Sequence, residues 1–277
     1  MNKQKILYDK SMEILNDKGI DKVHLSSRPR GVVSAYVHGT GVPLFEKEEN
    51  KVLVDGSMFT AMKHFNMLPI VDLKDYNTAI DLENIDPLTS AEKMASTVVL
   101  FCVGTSGCGP EQSQRYDVDY TKWINPEDLV PFRFQLADND LSDEMRTKYF
   151  GRKEVTGLNR IAYYFKAFDT TPVMKAQYVD GTPIDSNIYI SDNTTDVEVY
   201  VEMKMSITKE DCRDFFIATS GINDAKVNTI SLLTGYAKEY NGHDYYQGVR
   251  PLTRLNFSSE PLVDLTKGID ITYDLFY

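Results

Sequence analysis

The chain has 277 residues, of which 42% are hydrophobic, and 30 basic residues stand against 41 acidic ones for a net charge of −11. That hydrophobic content excludes a disordered chain, and the acidic balance speaks against nucleic-acid backbones and anionic lipid surfaces as partners. A length of this order holds two ordinary domains, or one large β domain with an appended arm.

Three cysteines, Cys102, Cys108 and Cys212, are too few for a disulfide framework and fit a reducing compartment. The longest purely apolar run, Val98 to Val103, falls far short of the roughly 20 residues that a membrane-spanning helix needs. The N-terminus lacks the apolar stretch of a signal peptide, so a soluble protein made in a cytosol is expected. There are 17 tyrosines and 13 phenylalanines against one tryptophan. Tyrosine suits half-buried strands and wet protein interfaces alike, which points toward assembly.

In chain order, Lys3 to Lys18 places Leu7, Ile14 and Leu15 on one face of an amphipathic helix that Gly19 stops. The apolar stripe is narrow: the helix lies on its own domain or docks on a neighbouring subunit as an arm. Gly31 to Val37, a His38-Gly39-Thr40-Gly41 turn and Val42 to Phe45 predict a hairpin, followed by the charged run Glu46 to Lys51. Met58, Phe59, Met62 and Phe65 have helical spacing before Pro69. Thr89 with Glu92 three residues on predicts a capped helix leading into a buried strand, Thr97 to Val103.

The segment Gly104-Thr105-Ser106-Gly107-Cys108-Gly109-Pro110 carries the most chemical suggestion. A phosphate-binding loop needs Lys and then Ser or Thr after its last glycine, and here Pro110 and Glu111 follow. A nucleophile elbow needs Gly-x-Ser-x-Gly, and the frame around Ser106 ends on Cys108. A Cys108 nucleophile needs a basic partner, whereas the four histidines His24, His38, His64 and His243 are scattered. The non-catalytic reading is that these glycines permit a tight crossing where another strand approaches. Asp138 to Glu144 opens like a calcium loop but has Asp143 where glycine and Tyr149 where glutamate are required, and the cysteines lack zinc spacing. No metal, cofactor or catalytic residue is therefore assigned.

Beyond the loop, Arg115 to Phe134 predicts strand, turn and strand around Trp123, a core or interface anchor. From Asn159 the pattern is β: Ile161 to Ala167, Val173 to Val179, a turn at Asp180-Gly181-Thr182-Pro183, then Ile184 to Ile190. Val197, Val199, Val201, Met203, Met205 and Ile207 alternate with Glu198, Tyr200, Glu202, Lys204 and Ser206, an unusually long half-buried strand. Thr208 to Asp211 has the form of a helix cap. Val227 to Leu233, closed by Thr234-Gly235, and Val249 to Phe257 after the Asn241-Gly242 turn are the next strands, and Tyr240, Tyr245 and Tyr246 flank that turn. The closing segment alternates Ile269, Ile271, Tyr273, Leu275 and Tyr277 with Asp270, Thr272, Asp274 and Phe276, and an apolar strand so near the end must be tied into a sheet.

The fold class expected is mainly β with some α: an N-terminal helix at 1–22, a mixed α+β part at 23–150, and an antiparallel sandwich or jelly roll at 151–277. The succession of the long alternating strand, the Thr208-Lys209-Glu210-Asp211 turn, Val227 to Gly235, Leu252 to Phe257 and Thr266 to Tyr277 resembles the closing domain of virion structural proteins of tailed bacteriophages. The Gly-rich segment with Asp117 to Trp123 is similar to segments of the same class. The resemblance implies a non-enzymatic subunit of a symmetric particle, in the tail or baseplate or in the neck, joined to copies of itself and to other virion proteins. Leu7, Ile14, Leu15, Trp123, Tyr240, Tyr245 and Tyr246 are then its candidate interface residues. A hydrolase using Ser106 or Cys108 and a carbohydrate-binding β-sandwich are the competing readings.

Overall fold

The computed structural model describes residues 29–53, 56–57, 60–61, 63, 88–104, 107–108, 132–135, 142–146, 148–155, 161–184, 197–217, 225–240, 243–261 and 268–277. The expected N-terminal helix with Leu7, Ile14 and Leu15 lies outside them, as do Ser106 and Trp123.

The fold is mainly antiparallel β. Twelve strands are described: β1 (Arg30–Val37), β2 (Pro43–Val52), β3 (Thr97–Gly104), β4 (Phe132–Gln135), β5 (Tyr149–Val155), β6 (Ile161–Ala167), β7 (Val173–Tyr178), β8 (Val197–Ile207), β9 (Lys226–Tyr240), β10 (His243–Pro251), β11 (Thr253–Pro261) and β12 (Ile269–Phe276). Short helical pieces are α1 (Ser90–Ala95), α2 (Asp143–Arg146) and α3 (Lys209–Asp211), the last continuing into a π turn at Cys212–Ile217. The hydrogen-bonded order is β4-β6-β3-β9-β11-β2-β1-β12-β8-β7, with β10 on β9 and β5 on β6. Strands from both sides of residue 150, the expected domain boundary, are interspersed along this path, and that residue lies inside β5.

Two curled sheets result. One is β2-β1-β12-β8-β7 and the other β4-β6-β3-β9-β11, joined where Thr253 pairs with Val52 and Arg254 with Lys51. Val33, Ala35, Met203, Met205, Ile207, Ile271, Tyr273 and Leu275 of the first sheet share one buried cluster with Phe101, Val103, Ile230, Leu232, Leu255 and Phe257 of the second. The core therefore lies between the sheets.

The β1–β2 hairpin forms where the sequence places it. Its turn needs left-handed backbone, which Gly39 (φ +68°) and Gly41 (φ +72°) adopt without a Cβ penalty. The charged run Glu46 to Lys51 is part of β2 instead of following it, because pairing with β1, from Gly31–Asn50 to Val33–Glu48, satisfies its backbone. Thr89 and Glu92 make the predicted reciprocal cap, Glu92 N–H to Thr89 Oγ1 at 3.2 Å and Thr89 N–H to Glu92 Oε2 at 2.7 Å.

The closing region differs from expectation in two places. β9 does not stop at Gly235 but runs through it to Tyr240, because a second strand, β10, pairs with its far half from Tyr240–His243 onward. A Cβ on Gly235 would lie 3.3 Å from the Tyr246 Cβ, so the glycine serves close strand approach and not termination. The expected single strand Val249 to Phe257 is the junction of β10 and β11, where Leu252 N–H still bonds the Leu232 carbonyl at 2.8 Å between shifts in register. β12, paired with β1 on one side and β8 on the other, keeps the expected alternation through Leu275 but ends at Phe276, one residue short: Phe276 is buried under Arg30 and Tyr200, and Tyr277, expected on the buried face, is exposed.

Candidate functional site

Within the Gly-rich segment Gly104 ends β3, paired with Thr229, and Gly107 and Cys108 are buried against β9 and β11. Gly107 N–H donates to Asn228 Oδ1 at 2.7 Å, and any Cβ there would collide with the Asn228 carbonyl oxygen. This is the tight crossing that the glycines permit. The Cys108 thiol donates to the Phe257 carbonyl at 2.9 Å. A buried polar seam continues from it: Thr229 Oγ1 donates to Asn256 Oδ1 at 3.2 Å, and Arg254 Nε donates to the same oxygen at 3.1 Å. All three cysteines are free and buried. Burial drives the Cys102 thiol far above its ordinary value and pushes Cys212 up to about 12, with the Asp211 carboxylate adding to the second shift. Neither is thereby a ready thiolate.

A histidine and a carboxylate meet at the tip of the β1–β2 hairpin. His38 Nδ1 lies 2.5 Å from Asp270 Oδ1, and Gly39 N–H donates to Asp270 Oδ2 at 2.9 Å. Such a pair fixes the ring's orientation and tautomer. Ser206, the residue opposite Asp270 across the β12–β8 ladder, gives its hydroxyl to Asp169 at 3.1 Å. The histidine thus has an orienting carboxylate, and the Ser206 hydroxyl across the ladder is committed to Asp169. No sequence signal marks this pair, whose members are 232 positions apart.

The outer face of the first sheet carries a charged lattice. Arg30 Nη2 bonds Glu198 Oε1 at 2.7 Å, Gln177 Nε2 bonds Glu198 Oε2 at 3.2 Å, and Lys175 Nζ bonds Glu202 Oε2 at 2.7 Å. Arg30 also lies 4.3 Å over the Phe276 ring, which stacks on Tyr200 at 4.9 Å. Asp274 sits opposite Glu202 across the ladder, and its Oδ1 is buried without a hydrogen-bond partner. Burial, and then the Glu202 charge, lift its carboxyl to about 6 against the opposing pull of Lys175.

At the margin of that face, β7 ends the strand order. Residues 182–184 fold back onto its far half, through Tyr178 N–H to the Thr182 carbonyl and Ile184 N–H to the Ala176 carbonyl. Val173, Met174 and Val179 nevertheless stand 51%, 66% and 61% exposed. This apolar margin was not among the residues the sequence singled out, because the alternation test marks which positions share a face but not which strand lies outermost.

Of the residues it did single out, Tyr246 is half-buried against the smaller core of Leu100, Cys102, Phe165, Leu233 and Val249. Tyr240 and Tyr245 fall on β9 and β10, with side chains outside the described residues. Among the described residues no cluster of acidic, histidine or cysteine side chains has the makings of a metal site, and no helix is long and apolar enough to cross a membrane. Comparison with protein-family models, curated proteins and solved structures finds no match to this chain.

Proposed function

We propose that the chain is a non-enzymatic structural subunit of a tailed-bacteriophage virion, placed in the tail or baseplate or in the neck between head and tail. Its two sheets act as the rigid body of a sandwich, jelly-roll-like in its C-terminal part, and it associates with copies of itself and with other virion proteins. The observation that supports this reading most is the apolar margin at β7, where Val173 and Met174 lie exposed on the outermost strand of the first sheet. A soluble protein seldom leaves such an edge without a partner or a guard. Stable contacts between subunits bury on the order of 1,000 Å² or more in total, and closed symmetry repeats each contact around the particle.

The test replaces Val173 with Lys and, separately, removes residues 1–19. Both variants are expected to fold, by circular dichroism, and to enter particles less than the parent chain. Wild-type incorporation of both, read by quantitative mass spectrometry of purified particles, would remove the proposal.

A further inference from the structure

We propose that Lys166 and Asp211 are the two ends of an intramolecular isopeptide bond that the folded chain forms by itself. Lys166 is a lone cation in the apolar strand β6, flanked in the ladders by Tyr149 of β5 and Phe101 of β3. Asp211 closes α3, directly after β8 of the other sheet. Lys166 Nζ lies 2.6 Å from Asp211 Oδ2, and the two side chains are 5% and 0% exposed. The Tyr149 hydroxyl donates to the other carboxylate oxygen, Oδ1. Phe215 packs on the Tyr149 ring with centroids 4.7 Å apart, and Cys212 and Phe216 are buried in the same core cluster.

Amide formation between side chains needs an amine in contact with a carboxyl, exclusion of water, and a hydrogen-bond donor on the oxygen where negative charge develops. All three are in place here. Condensation requires one proton to pass along the 2.6 Å contact from Nζ to Oδ2, which leaves a neutral amine beside a neutral acid. The Nζ lone pair then attacks Asp211 Cγ, and Tyr149 stabilises the developing oxyanion at Oδ1. Oδ2 departs as water, carrying the acid proton and one proton from the amine. One N–C bond forms, one C–O bond breaks, and no oxidant or cofactor is consumed.

The product ties β6 of one sheet to α3, the helix that follows β8 of the other, across 45 positions of sequence, in a chain whose cysteines are all free. A crosslink of that span restricts the unfolded chain and raises the temperature of unfolding.

Proteolysis of the denatured full-length protein, followed by tandem mass spectrometry, tests the bond. The expected result is a branched peptide joining the segments that contain Lys166 and Asp211, one water lighter than their sum. Lys166→Arg keeps a cation beside Asp211 but cannot condense, so it should yield only linear peptides and unfold at a lower temperature. Separate linear peptides with unmodified Lys166 and Asp211 from aged, folded wild-type protein would overturn the proposal, and so would the same branched mass from Lys166→Arg.

Discussion

The two sheets are built on different contracts with solvent. In the first, β12 buries Ile269, Ile271, Tyr273 and Leu275 while Asp270, Thr272 and Asp274 stay half-buried on the outer face. In the second, β3 is buried on both faces: Phe101 and Val103 point into the main core, and Leu100 and Cys102 into the smaller one with Phe165, Leu233 and Val249. A one-sided strand writes an alternating sequence; a two-sided strand writes a continuous apolar run, as in Thr97 to Val103. The difference also sets what each sheet tolerates. Adjacent residues on β3 are both costly to change, whereas on β12 the half-buried outer position Thr272 is cheap.

Truncation along the two strands is the strongest way to break this comparison. Phe101→Ala should lose about 3–5 kcal/mol and Leu100→Ala about 2–5 kcal/mol, although the side chains point opposite ways. Thr272→Ala on β12 should stay within about 0.5 kcal/mol of wild type. Urea unfolding of the three variants measures this directly, and a cheap Leu100→Ala would mean that the smaller cluster is not a true second core. Close behind comes Gly107→Ala. Its Cβ meets backbone, the Asn228 carbonyl, and not a flexible side-chain end, so the β3–β9 crossing must open and the Gly107 N–H to Asn228 bond is put at risk. A loss of about 1–3 kcal/mol is expected.

On the outer face the comparison becomes one of pH. Burial and the Glu202 charge raise the Asp274 carboxyl to about 6 in the folded chain, above the ordinary aspartate value of about 3.9 that it regains on unfolding. The folded protein therefore holds this proton more tightly than the unfolded one, and between those two values stability falls as pH rises. Asp274→Asn should remove that slope and stabilise the protein at neutral pH, by about 1 kcal/mol once solvent screening at a partly exposed group is allowed for. Thermal melts at pH 4, 5, 6 and 7 on both proteins check it; parallel curves would show that Glu202 and Lys175 already neutralise the site.

What the sequence discloses follows from the range of the interaction. β8, β12 and the β1–β2 hairpin are legible because periodicity and turn glycines are local. The two caps are legible too, and Thr208 and Asp211 bond each other reciprocally at 3.2 and 2.8 Å. Gly235 misleads, since a glycine at a strand crossing and a glycine at a strand stop look alike until Tyr246 is placed against it. The long-range pairs are silent: His38 with Asp270, and Lys166 with Asp211, are joined by topology alone. A lysine inside an apolar strand was the one trace of the second pair, and it reads as a surface residue unless the strand is known to be covered. The apolar margin at β7 was hidden for the same reason, because strand order is not written in any single strand.

That margin gives the mildest and most selective perturbation. Met174 is 66% exposed at the end of the strand order, whereas Met203, on β8 of the same sheet, is 1% exposed. Lysine at Met174 loses little burial and keeps its ammonium in water, so stability should shift by no more than about 0.5 kcal/mol. The same change at Met203 places an unpaired charge in the core and should prevent folding. If β7 is where subunits meet, Met174→Lys must lower self-association or particle entry while the melting curve stays where it was. Sedimentation velocity alongside calorimetry separates the two effects, and an unchanged association at unchanged stability would move the interface away from β7.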